Sequence, residues 1–461
     1  MKIKEMEKEG WPVQGAIRRR RDFFRSHWVM LIILWLLFFE RLWMLSHLGP
    51  SYNLKSDDLS YIKSGITLYR TGTVTMHGVI SAQIMPGLPA IIALFCGLFG
   101  TGSGLWLPLK VAWCIMGTLA AWFTYLAMRE KVPAYAALIV SLFFFAPDFA
   151  WQDNLILTET PYLFLVSLYL YGVMRMGNRK DWMGFAIMAI SVYFAFLLKA
   201  QALSLFFLPL PYFWIKKYPS TRLYVQAFMV FVALLAFMLP WSVRNYKHFR
   251  NYIPTTYGIG NPLLLGTYQG EGYPSDEEVD RQPFIDEVYE EHAFLKDKDG
   301  SFAPKHKRYF ELLTDEKMAK ARMVYWWKHD RESMVKSYLW LKPKRMIDAS
   351  FYWDEVIPHT KHAMTQMRKV GFDLAMAAAI VVLLARKYIA ETYFVLFAYW
   401  AQIYMYAYAY VFDRYAQTLL PFRFMAIGFL IPAAASIADR FMRYFRGKRA
   451  YREGLNKQRQ E

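Results

Sequence analysis

Apolar residues come in blocks along this chain, and short clusters of Lys and Arg separate one block from the next. A helix needs about 20 apolar residues to cross a hydrocarbon core that is about 30 Å thick, and the blocks are roughly that long. Hydrophobic residues make up 56% of the sequence and aromatic residues 18%. The pattern therefore predicts an all-α polytopic membrane protein.

The basic clusters predict how the chain crosses the membrane. Arg18–Arg21 precede the first apolar block, and since cytoplasmic loops carry an excess of Lys and Arg, we expect this and the later clusters to be cytoplasmic. That arrangement requires a single span between Asp57 and Met128, so the short run 86–100 is predicted to be interfacial or re-entrant. About ten spans result. They are 28–47, 105–127, 132–150, 155–174, 182–198, 202–215, 223–241, 371–386, 389–411 and 415–438.

This threading predicts a division of the chain into successive segments. No N-x-S/T sequon occurs, which favours a prokaryotic cell (plasma or inner) membrane protein whose large loops face the outside or periplasm. The segments are a cytoplasmic basic N-terminus (1–27), an N-terminal transmembrane module (28–243) with a first outer loop (48–104), an outer loop region with amphipathic helices (244–369), C-terminal transmembrane helices (370–438) and a cytoplasmic basic tail (439–461).

The formal net charge of +18 does not indicate nucleic-acid binding, because the basic clusters lie at the ends of apolar blocks and in both tails. Cys96 and Cys114 both lie in apolar segments, so the sequence predicts neither a disulfide framework nor a cysteine metal site. The expected partner of this charge pattern is the lipid bilayer.

Polar residues at the ends of the predicted spans all fall on the outer side. Ionisable groups near membrane depth are costly and usually face a cavity or a partner, so these side chains are candidates for one outer site. They are Asp57, Asp58, Glu159, Lys199, Gln201, Arg244, Asp413 and Arg414.

A purely structural interpretation of the same residues stays open. Ser56 can cap a helix that starts at Asp57 and Asp58 and ends before Gly72. Thr158 or Thr160 can likewise cap a helix at Glu159, with Pro161 in its first turn. Lys199 and Arg244 can extend their cationic ends towards water at helix ends, without any role in binding.

Several fragments are similar, in order along the chain, to motifs of one family. "SDDLSYIKSGITLYRTG" matches an acidic pair followed by a Tyr in the first outer loop, and "MPGLPAIIALFCGLFG" matches a segment leading into an amphipathic helix. "DNLILTETPYLFL" offers Glu159 at the start of a span, with Asp153 as the weaker candidate, and "LLKAQAL" offers Lys199.

Two later fragments continue the series. "LPWSVRNYKHFRNYIPTTYGIGNPLLLG" contains Arg244 and Asn245, and "DRYAQTLLPF" contains Arg414 and Tyr415. Together the fragments resemble the membrane-embedded C-type glycosyltransferases (GT-C) that use polyprenyl-phosphate sugars, such as protein O-mannosyltransferases and the aminoarabinose transferases that modify lipid A. The resemblance implies a GT-C-like bundle with interfacial helices in the first outer loop and one long outer loop.

The resemblance also implies a reaction. A sugar would move from a polyprenyl-phosphate-linked donor to an acceptor hydroxyl on a protein, a lipid or a surface glycan, by one inverting displacement. Asp57 would be the base, and Asp58 or Glu159 would orient the acceptor or, together with Asp57, hold a divalent cation (Mg²⁺ or Mn²⁺) if one is used. The remaining assignments are Arg244, Lys199 and Arg414 for the donor phosphate, and Tyr61, Gln201, Asn245 and Tyr415 as candidate substrate-binding residues.

Two other functions suit an outer cavity lined with charges. A transporter or flippase of lipid-linked saccharides would use such a cavity, although paired inverted repeats and helices broken at the midplane are typical of transporters. A surface-polysaccharide ligase or polymerase would also work on the outer face, with a donor that carries a diphosphate-linked chain. The nature of the donor distinguishes these alternatives from the polyprenyl-phosphate transferase.

Overall fold

The computed structural model describes residues 12–272, 279–353, 356–357 and 360–458, with side chains from residue 27 to residue 446. The predicted basic N-terminus and the end of the basic tail lie largely outside the described side chains, and residues 273–278 of the predicted outer loop lie outside the described residues. The described part is almost entirely helical, as the apolar blocks predict.

Twenty α-helices and one two-stranded antiparallel sheet form the described part. In the sheet, β1 (Thr75–Met76) pairs with β2 (Val79–Ile80). The helices are α1 (Pro12–Leu48), α2 (Asp57–Thr71), α3 (Gly87–Phe99), α4 (Trp106–Arg129), α5 (Ala134–Leu142), α6 (Pro147–Gln152), α7 (Glu159–Arg179), α8 (Trp182–Leu198), α9 (Ser204–Phe207), α10 (Leu210–Ile215), α11 (Ser220–Phe249), α12 (Gly260–Gly266), α13 (Gln282–Glu291), α14 (Pro304–His329), α15 (Arg331–Lys336), α16 (Lys342–Asp348), α17 (Thr360–Ala385), α18 (Ile389–Ala407), α19 (Asp413–Thr418) and α20 (Leu420–Gln458).

Helix length and composition identify a multi-pass membrane protein. Four helical segments are long and apolar enough to cross a bilayer, namely His27–Leu48, Ser103–Arg129, Ser220–Phe249 and Leu420–Arg446. Shorter apolar helical segments accompany them, namely Gly87–Phe99, Ala134–Phe145, Trp182–Leu198 and Ala200–Ile215. The number of spans, about ten from the apolar blocks, stays a prediction.

Two predicted spans are interrupted in the structure. The block 132–150 consists of α5, a short 3₁₀ turn and α6, which begins at Pro147. The block 202–215 consists of α9 and α10, separated at Leu208 and Pro209. A proline starts a helix more readily than it continues one, which explains both new starts.

The run 86–100 forms α3, whose 13 residues are about 20 Å long and therefore too short to cross the hydrocarbon core. It packs closely on α2, because a Cβ at Gly65 would lie 2.4 Å from the Cβ of Ile92. The prediction that this run is not a full span agrees with its length.

The bundle is tightly packed where α7 crosses α8. A Cβ at Gly172 would lie 2.5 Å from the backbone nitrogen of Met188, and one at Gly184 would lie 2.5 Å from that of Met176. Small residues let helix backbones approach in this way within membranes. The crossing fixes α7, whose first residue is Glu159.

Buried ion pairs fix the loop that precedes α7. Arg41 of α1 contacts Asp153 at 2.7 Å, with both side chains fully buried, and Thr160 donates a hydrogen bond to the same carboxylate. Arg368 of α17 contacts Asp148 of α6 at 2.5 Å. Removing one partner of a buried pair typically costs about 3–5 kcal/mol, so these contacts hold the start of α7 firmly.

Candidate active site

The two carboxylates at the start of α2 have different environments. Asp58 is buried, and its oxygens accept hydrogen bonds from the backbone N–H groups of Leu54 (2.6 Å), Ser56 (3.1 Å) and Leu59 (2.8 Å). The expected cap was the Ser56 side chain, but it makes no capping hydrogen bond. The longer Asp58 carboxylate reaches these donors instead, so it is the group that closes the start of α2.

Asp57 points away from the backbone and is partnered by an arginine distant in sequence. Its Oδ2 atom lies 2.9 Å from Nη2 of Arg414, and about a third (32%) of the Asp57 side chain is exposed. The same guanidinium approaches Oε1 of Glu159 through Nε at 3.5 Å. Oε1 of Glu159 also accepts a hydrogen bond from Nζ of Lys199 at 3.0 Å. These four side chains form a continuous charged chain, named here the Asp57–Lys199 chain.

Four structural elements contribute to the Asp57–Lys199 chain. Asp57 opens α2, Arg414 lies in α19, Glu159 opens α7 and Lys199 follows α8. Two carboxylates face two cations, so the charges balance within the cluster. The alternation lets the buried Glu159 and Lys199 remain ionised, since each is paired and hydrogen-bonded.

Aromatic rings enclose the cationic end of this chain. Nζ of Lys199 lies 4.3 Å from the ring centre of Tyr415 and 5.3 Å from that of Tyr162. The Arg414 guanidinium lies 5.1 Å from the ring centre of Phe412. Such cation–π contacts stabilise and orient cations in places that water reaches poorly.

Tyr61 lies one turn along α2 from Asp57. Burial raises the pKa of its phenol above the ordinary value, and the negative charge of Asp57 raises it further. The phenol therefore keeps its proton, and it can serve as a hydrogen-bond donor near the Asp57 carboxylate.

A cavity of about 290 Å³ opens beside Asp57 and Arg414. Glu159 and Lys199 are not among its lining residues, so they lie behind Arg414. The lining residues come from the start of α2 and the residues just before it, from the segment before α7, from α16, from residues 351–353 and from residues 410–414 at the start of α19. Those with polar or aromatic side chains are Ser56, Asp57, Asp58, Arg345, Phe351, Trp353, Tyr410, Phe412, Asp413 and Arg414.

Comparison with known proteins places this site on a known fold. No protein-family model matches the chain, and no curated protein matches it. Among solved structures, the archaeal oligosaccharyltransferase AglB from Archaeoglobus fulgidus, in complex with an inhibitory peptide and a dolichol-phosphate, is 14% identical with a TM-score of 0.50. That match covers 93% of this chain and 52% of AglB, so the chain spans about half the length of that relative. ArnT from Cupriavidus metallidurans, bound to undecaprenyl phosphate, is 16% identical with a TM-score of 0.39, over 90% of this chain and 79% of ArnT.

The chain has the fold of the membrane-embedded C-type glycosyltransferases. The Asp57–Lys199 chain is therefore a cluster of charges set within a GT-C bundle. At this level of identity the likeness concerns the fold alone, and the residue assignments depend on the geometry of the site.

Two residues expected at the site lie elsewhere in the GT-C bundle. Arg244 donates hydrogen bonds through Nη1 to the carbonyl of Ser81 (2.8 Å) and through Nη2 to that of Val74 (2.9 Å), on either side of the small sheet. Asn245 accepts from Arg244 and donates to the carbonyl of Ile253. Neither makes a contact with the Asp57–Lys199 chain within the described residues. Arg244 holds the loops around β1 and β2, and Asn245 holds the backbone at Ile253.

Gln201 follows Lys199 in the 3₁₀ turn after α8. Its Nε2 atom is buried and has no hydrogen-bond partner among the described residues. Gln201 is therefore close in sequence to the Asp57–Lys199 chain without a described contact to it.

The acidic residues do not fit a resident divalent cation. Asp58 already accepts three backbone hydrogen bonds, and Glu159 is held by two cations. Within the described ranges, no group of three His, Cys, Asp or Glu side chains could hold a metal ion. Of the three carboxylates predicted to hold a cation, only Asp57 retains an accessible oxygen, and one carboxylate does not make a cage.

Sequence reasoning missed one cation at the cavity. Arg345 of α16 lines the cavity opposite Asp57, and its Nε lies 3.6 Å from Oδ1 of Asp413. It belongs to the long predicted outer region and follows no motif. The basic run "KPKR" at the start of α16 was the only signal in the sequence.

Proposed function

We propose that the chain is an integral-membrane glycosyltransferase that moves a sugar from a polyprenyl-phosphate donor to an acceptor hydroxyl at the outer face of the cell membrane. The observation that carries this proposal is the Asp57–Arg414 pair, which sets a carboxylate and a guanidinium side by side at a cavity of the GT-C fold. AglB was solved with a dolichol-phosphate, and a lipid phosphate of that class is the donor carrier in our proposal. The acceptor is a hydroxyl of a protein, a lipid or a surface glycan.

Asp57 acts as the general base. Its carboxylate takes the proton of the acceptor hydroxyl while the acceptor oxygen attacks the anomeric carbon of the donor sugar. The bond between that carbon and the phosphate oxygen breaks, and polyprenyl phosphate leaves with the electron pair, so the anomeric configuration inverts. A positioned base of this kind contributes typically about 10²–10⁴-fold to the rate.

Arg414 couples donor binding to the activity of the base. In the structure its guanidinium is shared between Asp57 and Glu159. A donor phosphate offers it a stronger bidentate partner, with Arg345 available as a second cation across the cavity. Transfer of Arg414 to the phosphate frees Asp57 to accept a proton, and it also stabilises the charge of the leaving group.

The inner half of the charged chain positions Arg414. The carboxylate of Glu159 attracts the Arg414 guanidinium. Lys199 contacts both Glu159 and the ring of Tyr415, and its charge keeps the Glu159 carboxylate ionised. Tyr61 supplies a protonated phenol near Asp57. Arg244 has no phosphate role in this proposal, because both of its terminal nitrogens already donate hydrogen bonds to backbone carbonyl groups.

The test is turnover by the purified protein in nanodiscs, with a panel of polyprenyl-phosphate sugars and of simple acceptor alcohols. We expect release of polyprenyl phosphate with at least one donor and a product whose anomeric configuration is inverted. Movement of an intact lipid-linked sugar across proteoliposomes, with no release, would identify a flippase. Turnover only with diphosphate-linked donors would identify a ligase or polymerase.

A further inference from the structure

A second cavity lies at the opposite end of the bundle from the Asp57 cavity. Its lining includes Tyr388, directly before α18, whereas the other end of α18 leads to Tyr410 of the Asp57 cavity. The 19 residues of α18 are about 28 Å long, which is close to the thickness of a hydrocarbon core. The two cavities therefore lie near opposite membrane surfaces.

The second cavity has a volume of about 690 Å³ and a strongly basic wall. It lies between the turn before α5, the turn that joins α17 to α18, and one face of α20. Four cations line it against a single carboxylate. The charged lining residues are Arg386, Lys387, Arg440, Arg443 and Asp439.

Two of these cations belong to the framework of the cavity. Nη2 of Arg440 donates hydrogen bonds to the carbonyl groups of Ala385 (2.6 Å) and Leu384 (3.2 Å), which ties α20 to the end of α17. Arg443 pairs with Asp439 at 3.3 Å, and both are exposed. After this pairing, the lining keeps a net positive charge from Arg386, Lys387 and Arg440.

Arg386 and Lys387 are exposed in the turn between α17 and α18. Within the described residues, neither side chain has an ion pair or a hydrogen bond. The turn also holds Arg386 and Tyr388 at positive φ, +56° and +59°, a conformation that is costly for residues other than glycine. The fold thus presents two adjacent free cations at this surface.

Three other cations at this end of the bundle have carboxylate partners. Lys216 and Lys131 both contact the carboxylate of Glu391, at 2.8 Å and 3.7 Å, and Arg179 pairs with Glu130. The cations of the cavity differ from these three in having no carboxylate partner for Arg386 or Lys387 among the described residues.

Apolar side chains continue from the cavity along the bundle. Ile380, Leu383 and Leu384 of α17 are exposed, and the Tyr135 ring is exposed at the cavity itself. A ligand that joins an anionic group to long apolar chains matches both the basic cavity and the exposed apolar residues beside it. A free phosphate ion matches only the cavity.

We propose that this cavity binds the head group of an anionic glycerophospholipid of the leaflet opposite the Asp57 cavity. The phosphodiester contacts Arg386 and Lys387, with Arg440 behind it, and the acyl chains follow the exposed apolar residues of α17. Basic pockets between membrane helices bind anionic head groups in this way.

The test uses the delipidated full-length protein in a neutral detergent, titrated with phosphatidylglycerol, with phosphatidylcholine and with undecaprenyl phosphate, and read by native mass spectrometry. We expect phosphatidylglycerol to bind at least about tenfold more tightly than phosphatidylcholine, and R386Q/K387Q to lose most of that preference. K180Q/K217Q is the matched control, because it removes two exposed lysines from turns at the same end that do not line the cavity.

A variant that keeps both charges distinguishes loss of charge from loss of folding. The exchange R386K/K387R keeps both charges and should bind phosphatidylglycerol as the wild type does. Equal binding of both phospholipids by the wild type would overturn the proposal, and so would unchanged binding by R386Q/K387Q or a preference for undecaprenyl phosphate at this site.

Discussion

Asp57 and Asp58 are neighbours in sequence, but their carboxylates have different partners. Successive helix residues point about 100° apart, so Asp58 turns towards the preceding loop and Asp57 turns towards α19. The adjacent pair was recognisable in the sequence, and so were both interpretations, capping and chemistry. Only the structure shows which carboxylate fits which interpretation, because Asp58 is bound to the backbone and Asp57 is bound to Arg414.

The first prediction concerns Asp58. Replacing it by Ala removes the acceptor of three backbone N–H groups, and we expect the free energy of unfolding to fall by about 1–3 kcal/mol, since a buried donor left without a partner costs that much. Thermal unfolding in detergent measures the loss. Asp286→Ala, at an exposed position of α13, is the control, and equal stability of the two variants would contradict a capping role for Asp58.

The second prediction separates the two arginines. Arg414→Gln should weaken donor binding at least about tenfold, because it removes the cation beside the cavity. Arg244→Gln should leave donor binding unchanged and lower stability by about 1–3 kcal/mol, because the carbonyl groups of Ser81 and Val74 lose their donors. Binding of a radiolabelled donor and thermal unfolding of each variant measure the two effects. Loss of donor affinity in Arg244→Gln at full stability would return the phosphate role to Arg244.

The third prediction concerns pH. Burial lowers the pKa of Lys342, at the start of α16, to about 7, although Nζ donates to the carbonyl of Gly266 and lies over the ring of Tyr338, contacts that favour the cation. Between this pKa and the unfolded value near 10.4, the unfolded chain holds more protons, so stability rises with pH. The stability that the folded chain gains at higher pH is therefore lost as the pH falls towards 7.

Lys342→Met removes the titrating group and should flatten that rise. Unfolding free energies measured between pH 7 and 9 should differ in slope between wild type and variant by at most about 1.4 kcal/mol per pH unit. The same slope in both proteins would show that Lys342 stays protonated in the fold.

At the scale of elements, the apolar blocks predicted helices well where a block ends in polar residues. The block 182–198 coincides with α8, and α7 begins at Glu159 as its motif suggested. Hydrophobicity did not reveal the break within 132–150. The buried Asp148 that follows the break is paired with Arg368, which lies on a helix far away in sequence. Nor did hydrophobicity reveal that α11 continues through Pro240 to Phe249, so that Arg244 lies within a helix.

The fourth prediction tests the crossing of α7 and α8. Gly172→Ala places a methyl group 2.5 Å from the backbone nitrogen of Met188, and we expect a loss of about 1–3 kcal/mol because the two helices must separate. Gly102→Ala is the matched control, since a Cβ there has nothing within 4 Å. Thermal unfolding compares the two variants. Equal unfolding midpoints would mean that α7 and α8 can separate at no cost in stability.

At the scale of the whole molecule, the two surfaces of the bundle carry different chemistry. One end brings together Asp57, Arg414 and Glu159, which are up to 357 positions apart in the sequence. The other end presents the basic cavity around Arg386 and Lys387. The resemblance to GT-C motifs anticipated the first set as separate candidates, but not that Arg414 lies between the two carboxylates. Arg345 had no motif, so its place at the cavity emerges only from the packing of α16.

The most direct test of the proposed active site compares Asp57→Asn with the wild type for both donor binding and sugar transfer. We expect donor affinity to stay within a few-fold while the transfer rate falls by at least about 10²-fold, because the amide cannot accept the acceptor proton. Asp286→Asn, which changes an exposed carboxylate outside the cavity, should transfer at the wild-type rate. Transfer by Asp57→Asn at the wild-type rate would contradict the proposed base and with it the central role of the Asp57–Arg414 pair.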